Sequence, residues 1–258
     1  MNQHQSVKDQ FGKNASNYVT SPLHAKGKDL EWMKQWVTHQ FSNKETLLDI
    51  ATGGGHVANA FAPLFNQVTA LDLTPEMLEQ AEKFIKGNGY ENVDFTIGDA
   101  QDLPFDDQSF DMVTCRVAPH HFPDVTKFVK EVYRVVKAGG VFILADNVVP
   151  EMDAYDIFFN DLEKKRDYSH NRALKKTEWL SVVEHTGFRT DHLVTFEKNF
   201  SFETWCKNMS LSNEQIEELN DWILSASDDV RTYFSVKTQE DGTVKSFTGQ
   251  SIVLIAWK

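Results

Sequence analysis

Three aspartates, an arginine and a pair of histidines each stand at or just beyond the end of a short apolar run, where a folded chain tends to expose reactive groups. Asp49 sits in Leu47-Leu48-Asp49-Ile50, and the run stops in Ala51-Thr52-Gly53-Gly54-Gly55 before a helical pattern resumes at His56. Glycines at such a strand-to-helix turn let backbone approach a ligand closely, with the unpaired amides of the helix N-terminus aimed at it. Asp72 closes the run Val68 to Leu71, and Asp99 follows Val93 to Ile97. Carboxylates there can accept hydrogen bonds from diols and amino groups. Arg116 ends a fourth run and can hold an anionic group, with an ion pair to a nearby aspartate as the competing role. His120 and His121 follow it, and imidazole is the side chain best suited to take a proton near neutral pH. Their competing role is packing at the start of a helix.

The glycines alone point only to a nucleotide-like ligand, since Gly53-x-Gly55-x-x-Ala58 also satisfies the dinucleotide pattern G-x-G-x-x-G/A. Charge separates the options. No Lys or Arg lies in or beside the loop, while Asp49, Asp72 and Asp99 surround it in sequence. A pyrophosphate gains little from an acidic rim. S-adenosylmethionine carries a sulfonium and an ammonium against one carboxylate, and the rim favours it.

The elements that must position these residues follow an alternating pattern. Thr46 to Ile50, Gln67 to Leu73, Val93 to Ile97, Phe110 to Cys115 and Val141 to Ala145 read as strands buried on both faces, which suits a parallel sheet. Thr74-Pro75-Glu76 opens a helix with Met77, Leu78, Ala81 and Ile85 on one face and Gly87 at its end. Pro123 opens another, striped by Val125, Phe128, Val129, Val132 and Val136 and stopped by Gly139-Gly140. Leu30, Met33, Trp36 and Val37 mark an amphipathic helix before the first strand. Beyond Asp146, helices are expected over Ala154 to Lys165, from a Thr177 cap to Gly187, and after the capping box Ser212-x-x-Gln215. Strands are expected at Leu193 to Phe196 and Ser251 to Trp257. The whole predicts a doubly wound α/β sheet in residues 46–258, preceded by an N-terminal lid and helix in 1–45 and carrying helical cap segments near 148–175 and 200–234.

Bulk composition narrows the partners. The 258 residues carry 26 Lys and Arg against 38 Asp and Glu, a net charge of −12 with no basic block, which disfavours nucleic acid. Cys115 and Cys206 are far apart and lack metal-ligand spacing, so two reduced thiols and no metal are expected. No stretch approaches the roughly 20 apolar residues of a membrane span, and the first residues are too polar for a signal peptide, which predicts a cytoplasmic protein without integral membrane association.

Several motifs in order resemble the class I S-adenosylmethionine-dependent methyltransferases, in particular the small-molecule branch that includes the quinone C-methyltransferases. Their D/E-x-G-x-G-x-G is Asp49 to Gly55 here, with Ala51 for the first glycine, and their acid at the end of strand two is Asp72, 23 positions on. Their G-D-A-x-x-L-P-F is intact as Gly98-Asp99-Ala100-Gln101-Asp102-Leu103-Pro104-Phe105, and R-V-L-K-P-G-G corresponds to Arg134 to Gly140 with Ala138 for proline. The resemblance covers roughly Leu47 to Leu144. It implies a Rossmann-like sheet of seven strands, mostly parallel with the last antiparallel. It also implies that Gly53 and Gly55 approach the methionine moiety, that Asp72 takes the ribose hydroxyls, Leu73 packs on adenine, and Asp99 meets its amino group beside the Ala100 amide. Tyr18 is similar to an aromatic of the family's N-terminal lid.

Methyl transfer is an in-line displacement at an activated carbon, so alignment and dryness matter more than a dedicated base. A base helps when the acceptor is a phenol, an enolisable carbon or a protonated amine. His121 and His120 are the candidates, at the carboxyl edge of the sheet where ligands of such folds bind. Tyr155, Phe158, Phe159, Trp205, Met209 and Trp222 in the cap segments suit a flat aromatic or quinone-like acceptor, or simply a cap core. Asn171-Arg172 can enter the pocket or pair with local acids. An exposed cap aromatic could also line a homodimer interface. The competing functions are a nicotinamide-dependent oxidoreductase and a cofactor-binding protein without catalysis.

Overall fold

The computed structural model describes the backbone of residues 3–20 and 27–258 and the side chains of 3–12 and 27–258. Apolar runs that alternate between two faces need cover on both, and the chain supplies it with helices on either side of one sheet. Strands β1 (Thr46–Ile50), β2 (Gln67–Asp72), β3 (Val93–Ile97), β4 (Phe110–Arg116) and β5 (Val136–Val148) run parallel in the order β3-β2-β1-β4-β5. The sheet continues through β8 (Val244–Trp257) to β6 (Arg189–Ser201), with β8 antiparallel to both neighbours. β7 (Lys237–Thr238) pairs only with β8, across the turn expected at Glu240-Asp241-Gly242. The seven-strand path is the expected one; β7 adds a pairing of two residues, too short to leave a period in the sequence.

One face is covered by α2 (Lys28–Gln40), α3 (His56–Phe61) and α4 (Pro75–Gly87), whose Met33, Phe61 and Ile85 pack with Leu47, Val68, Met112 and Ile143 of the strands. The other is covered by α5 (Val125–Val135) and α7 (Lys176–Thr186), which set Phe128, Val132, Trp179 and Val183 against Leu48, Ile50, Val113 and Leu144. Each such side chain withdrawn from water contributes about 1.5–3 kcal/mol. α1 (Gln3–Thr20) lies along α4.

Two helix boundaries depart from expectation. α5 is capped by Asp124, which accepts from Lys127 N at 2.9 Å, and it ends at Val135 because Val136 already pairs with Phe110 in the sheet. Pro123 therefore lies outside the helix, and Gly139-Gly140 lies inside β5. α7 starts after Lys175, whose amide donates to Glu178 Oε2 at 2.8 Å; Thr177 is inside the helix and its hydroxyl donates to Glu151. Ser212 caps its helix reciprocally with Gln215, as expected.

β6 and β8 run on past the end of β5, pairing from Arg189–Trp257 to Ser201–Ser246, and carry the cap. Here α6 (Asp153–Arg166), α8 (Phe202–Lys207), α9 (Asn213–Leu224) and α10 (Asp228–Tyr233) enclose a third core of Phe158, Phe159, Phe200, Trp205, Phe234 and Phe247. Trp222 stacks on Phe158 with ring centroids 4.8 Å apart. Phe158, Phe159 and Trp205 are thus part of the cap core. Among the described residues no helix is long and apolar enough to cross a membrane. Cys115 and Cys206 are free and buried.

Candidate active site

The chain leaves β1 through a turn in which Ala51, Gly53 and Gly55 all take left-handed backbone angles, with φ of 52°, 54° and 80°. Ala51 holds the place of the first glycine in the resembled pattern and bears a strain of about 1–2 kcal/mol that glycine would not. The Thr52 amide donates to Leu71 O and the Gly55 amide to Thr52 O, both at 2.9 Å, which folds the turn against β2. The two expected contact glycines differ. A Cβ on Gly55 would lie 2.9 Å from Ile85 Cδ1 and 3.0 Å from Ala81 Cβ, so this glycine seats α3 against α4. A Cβ on Gly53 would meet nothing within 4 Å, and Gly53 and Gly54 face the cleft above the sheet.

That cleft encloses about 1020 Å³, its open mouth included, and gathers Asp49, Gly53, Asp72, Leu73, Asp99, Ala100, Arg116 and His121 from the ends of successive strands. Asp72 is buried and accepts from Gly53 N through Oδ2 and from Thr74 N through Oδ1, both at 2.9 Å. Burial pushes its carboxyl pKa upward against those amides. Asp99 accepts the Gln101 amide at 2.9 Å, in the loop that the intact motif forms. That loop is fastened to α5: Glu131 accepts Leu103 N at 2.8 Å, and Arg134 donates to the carbonyls of Leu103 and Phe105. The arginine of the R-V-V-K run therefore holds the Gly98 to Phe105 loop from behind. Asp49 accepts from the Thr52 and Thr114 hydroxyls at 2.7 and 2.8 Å, and burial pushes its pKa up to about 6. An open glycine backbone beside acceptors at the ends of β1 and β2 and after β3 fits the donors and positive charge of S-adenosylmethionine.

α1 closes the cleft with His4, Val7 and Phe11. His4 Nε2 lies 3.5 Å from Asp99 Oδ2, and Gln3 donates to the carbonyl oxygens of His121 and Ser169. No local pattern marks Gln3 or His4, because the apolar stripe of α1 is weak. The side chain of Tyr18 lies outside the described residues.

The histidine pair divides. His121 lines the cleft, packs edge-on to Phe11 at 5.0 Å, and donates through Nδ1 to Ser169 O at 2.9 Å, which leaves Nε2 with the lone pair. Burial and the charge of His120 push its pKa down to about 4, so it stays neutral. His120 is not among the cleft-lining residues; its Nδ1 meets Asp146 Oδ1 at 2.6 Å, and its amide donates to Asp146 Oδ2. Burial opposes its charge, but the Asp146 carboxylate outweighs burial and raises its pKa. His170 completes the cluster 5.5 Å from the His120 ring, bonded to Asn160 Oδ1 and pushed down to about 2 by burial and the neighbouring imidazoles.

Arg116 meets Asp29 of α2 in a bidentate pair at 2.7 and 3.0 Å, both side chains buried. Burial raises the Asp29 pKa, yet the guanidinium prevails and holds it below the usual carboxylate range. Asp29 escaped the sequence reading because an acid in a first helical turn reads as a dipole partner. Arg172 pairs with Asp156 and Glu178, each at 2.8 Å, and Asn171 donates to Phe122 O. Among the described residues no group of three or more His, Cys, Asp and Glu is arranged to hold a metal ion.

A family pattern described as a methyltransferase domain matches residues 48–144. The uncharacterized methyltransferase YcgJ of Bacillus subtilis (strain 168) is 35% identical over 95% of this chain and 96% of its own. A solved methyltransferase structure from Bacillus halodurans C-125 superposes with a TM-score of 0.86 at 47% identity, over 90% of this chain and 99% of that one. The demethylmenaquinone methyltransferase of Desulfitobacterium hafniense (strain Y51) is 34% identical over 60% of this chain and 66% of its own.

Proposed function

The chain belongs to the class I S-adenosylmethionine-dependent methyltransferases, and on that premise we propose that it methylates an acidic centre, a phenol or an enolisable carbon, on a flat aromatic or quinone-like small molecule. Family membership removes the nicotinamide-dependent oxidoreductase and the non-catalytic binder from contention. One observation carries the choice of acceptor: a neutral imidazole, His121, set in the cleft wall beside Phe11 and Phe122 with its acceptor nitrogen unprotonated. The demethylmenaquinone methyltransferase relative supports a quinone-like ring.

When bound, S-adenosylmethionine supplies a methyl carbon already activated by its sulfonium. Asp72 and Asp99 would hold its ribose and adenine, Leu73 would pack on the ring, and the open backbone at Gly53 and Gly54 would border the methionine end. His121 Nε2 accepts the hydrogen bond of the acceptor's acidic proton and takes that proton as the nucleophile attacks. Ser169 O fixes the tautomer, and α1 excludes water from above. His120, clamped by Asp146, supports the ring of His121 from 4.2 Å away.

His121→Ala is expected to lower turnover about 10²–10⁴-fold while leaving S-adenosylhomocysteine affinity within about twofold. Methyl transfer from labelled S-adenosylmethionine to a panel of catechols, naphthols and hydroquinones, run beside calorimetry, checks both. A full rate in His121→Ala assigns the residue to packing against Phe11.

The Asp49 carboxyl predicts a pH dependence. Its raised pKa of about 6 means that acidification removes the Asp49 charge from the site before that of an ordinary carboxylate. Affinity for S-adenosylmethionine should therefore fall between about pH 7 and pH 5, by up to about tenfold per unit below the pKa. S-adenosylhomocysteine, which lacks the sulfonium, should fall less. Parallel titration curves for the two ligands would take Asp49 out of the sulfonium's charge balance.

A further inference from the structure

Lys198 is a half-buried cation that the transfer step described above does not employ. Side chains alternate along a strand, so Lys198 shares a face of β6 with Phe196, which packs against the core under α2. By the same alternation Asn147 of β5 follows Ile143 and Ala145 onto that face, and Arg116 of β4 follows Met112. Lys198 Nζ donates to Asn147 Oδ1 at 2.9 Å, spanning β8, where its register partner is Gly249 and Asn147 pairs with Ser251. A polar row thus crosses the carboxyl ends of the parallel strands, from Arg116 in the cofactor cleft to Lys198 at the foot of the cap.

The ammonium makes no ion pair among the described residues; its hydrogen-bond partner there is a neutral amide. The carboxylates within electrostatic range are already engaged. Asp29 is held by Arg116 at 2.7 Å, Asp146 by His120 at 2.6 Å, and Glu163 by Arg166 at 2.7 Å. Burial lowers the Lys198 pKa, Asp29 opposes that shift and Arg116 adds to it. Besides Asn147 the ammonium has the Phe200 ring, 6.0 Å away, and no counter-charge, and partly desolvated charges of this kind collect where a ligand supplies the opposite one.

We propose that Lys198 recognises an anionic group of the methyl acceptor, so that the preferred acceptors are hydroxylated aromatic carboxylates and not their uncharged counterparts. The inference rests on the methyl-transfer reading and narrows its substrate class. The ring would lie between the cofactor cleft and the cap, its hydroxyl toward His121 and its carboxylate toward Lys198.

Calorimetric titration of the full chain saturated with S-adenosylhomocysteine tests this, using 3,4-dihydroxybenzoate and its uncharged amide as probes. The native protein is expected to bind the acid at least about tenfold more tightly than the amide, the scale of a charge-assisted hydrogen bond. Lys198→Met should abolish that preference with S-adenosylhomocysteine affinity unchanged, and Lys198→Arg should retain part of it. Because Met removes a half-buried charge that has no ion-pair partner among the described residues and keeps the apolar stem, a thermal melt close to that of the native chain is expected. Equal affinities in the native protein, binding of neither probe, or a preference that survives in Lys198→Met overturns the proposal while leaving the methyl-transfer reading in place. Failure of the native chain to bind S-adenosylhomocysteine overturns both.

Discussion

Asp72→Ala is expected to weaken S-adenosylmethionine binding by about 1–3 kcal/mol and to lower the melting temperature at the same time. Two separate losses combine. The carboxylate has lone pairs beyond the two it gives to Gly53 N and Thr74 N, and a vicinal diol is the donor that would use them. Removing it also strands two backbone amides at a buried position, one of them in the loop that lines the cleft. Asp72→Asn separates the effects, since its one acceptor oxygen can keep one amide satisfied while the charge is lost. Titrations with S-adenosylmethionine and S-adenosylhomocysteine, beside thermal melts of all three proteins, give both quantities. A folded Asp72→Ala protein with native affinity would discard the ribose assignment.

Gly55→Ala is expected to cost about 2–4 kcal/mol of stability. Its φ of 80° is hostile to any side chain, and the added Cβ would stand 2.9 Å from Ile85 Cδ1 and 3.0 Å from Ala81 Cβ. Neither neighbour can retreat freely, because both are buried in the core between α4 and the sheet. Gly53→Ala, two residues away, is the control. It meets nothing within 4 Å, so its stability cost is the backbone term of about 1 kcal/mol, and its damage should appear in cofactor affinity. Urea unfolding of the two variants and calorimetry on each distinguish a packing glycine from a contact glycine. Equal destabilisation by both would mean that the loop, not the α3–α4 contact, sets the cost.

The periodicities and motifs of the sequence were sufficient for the parallel sheet, the covering helices and the strand-end aspartates. Burial on both faces leaves unbroken Val, Ile and Leu runs, and a left-handed turn calls for glycine; both signals lie within a few residues of each other. The same local signals placed Asp49, Asp72, Asp99 and His121 around one cleft, because strand ends of a parallel sheet all arrive at one edge. They could not say that Gly55 packs while Gly53 faces the cleft, since that depends on Ile85 and Ala81 arriving from α4. Nor could they separate His120 from His121, adjacent in sequence, for the difference lies in Asp146 on one side and Ser169 on the other.

Sequence by itself therefore determined the fold class, the cofactor and the family. Tertiary structure decided the partners of each charge: Asp29 for Arg116, Asp146 for His120, and a neutral amide for Lys198. The physical reason is range. Apolar periodicity and backbone preference act between neighbours along the chain, whereas the charge state of a buried group is set by whatever the register of distant strands and the docking of a helix bring within a few ångströms of it.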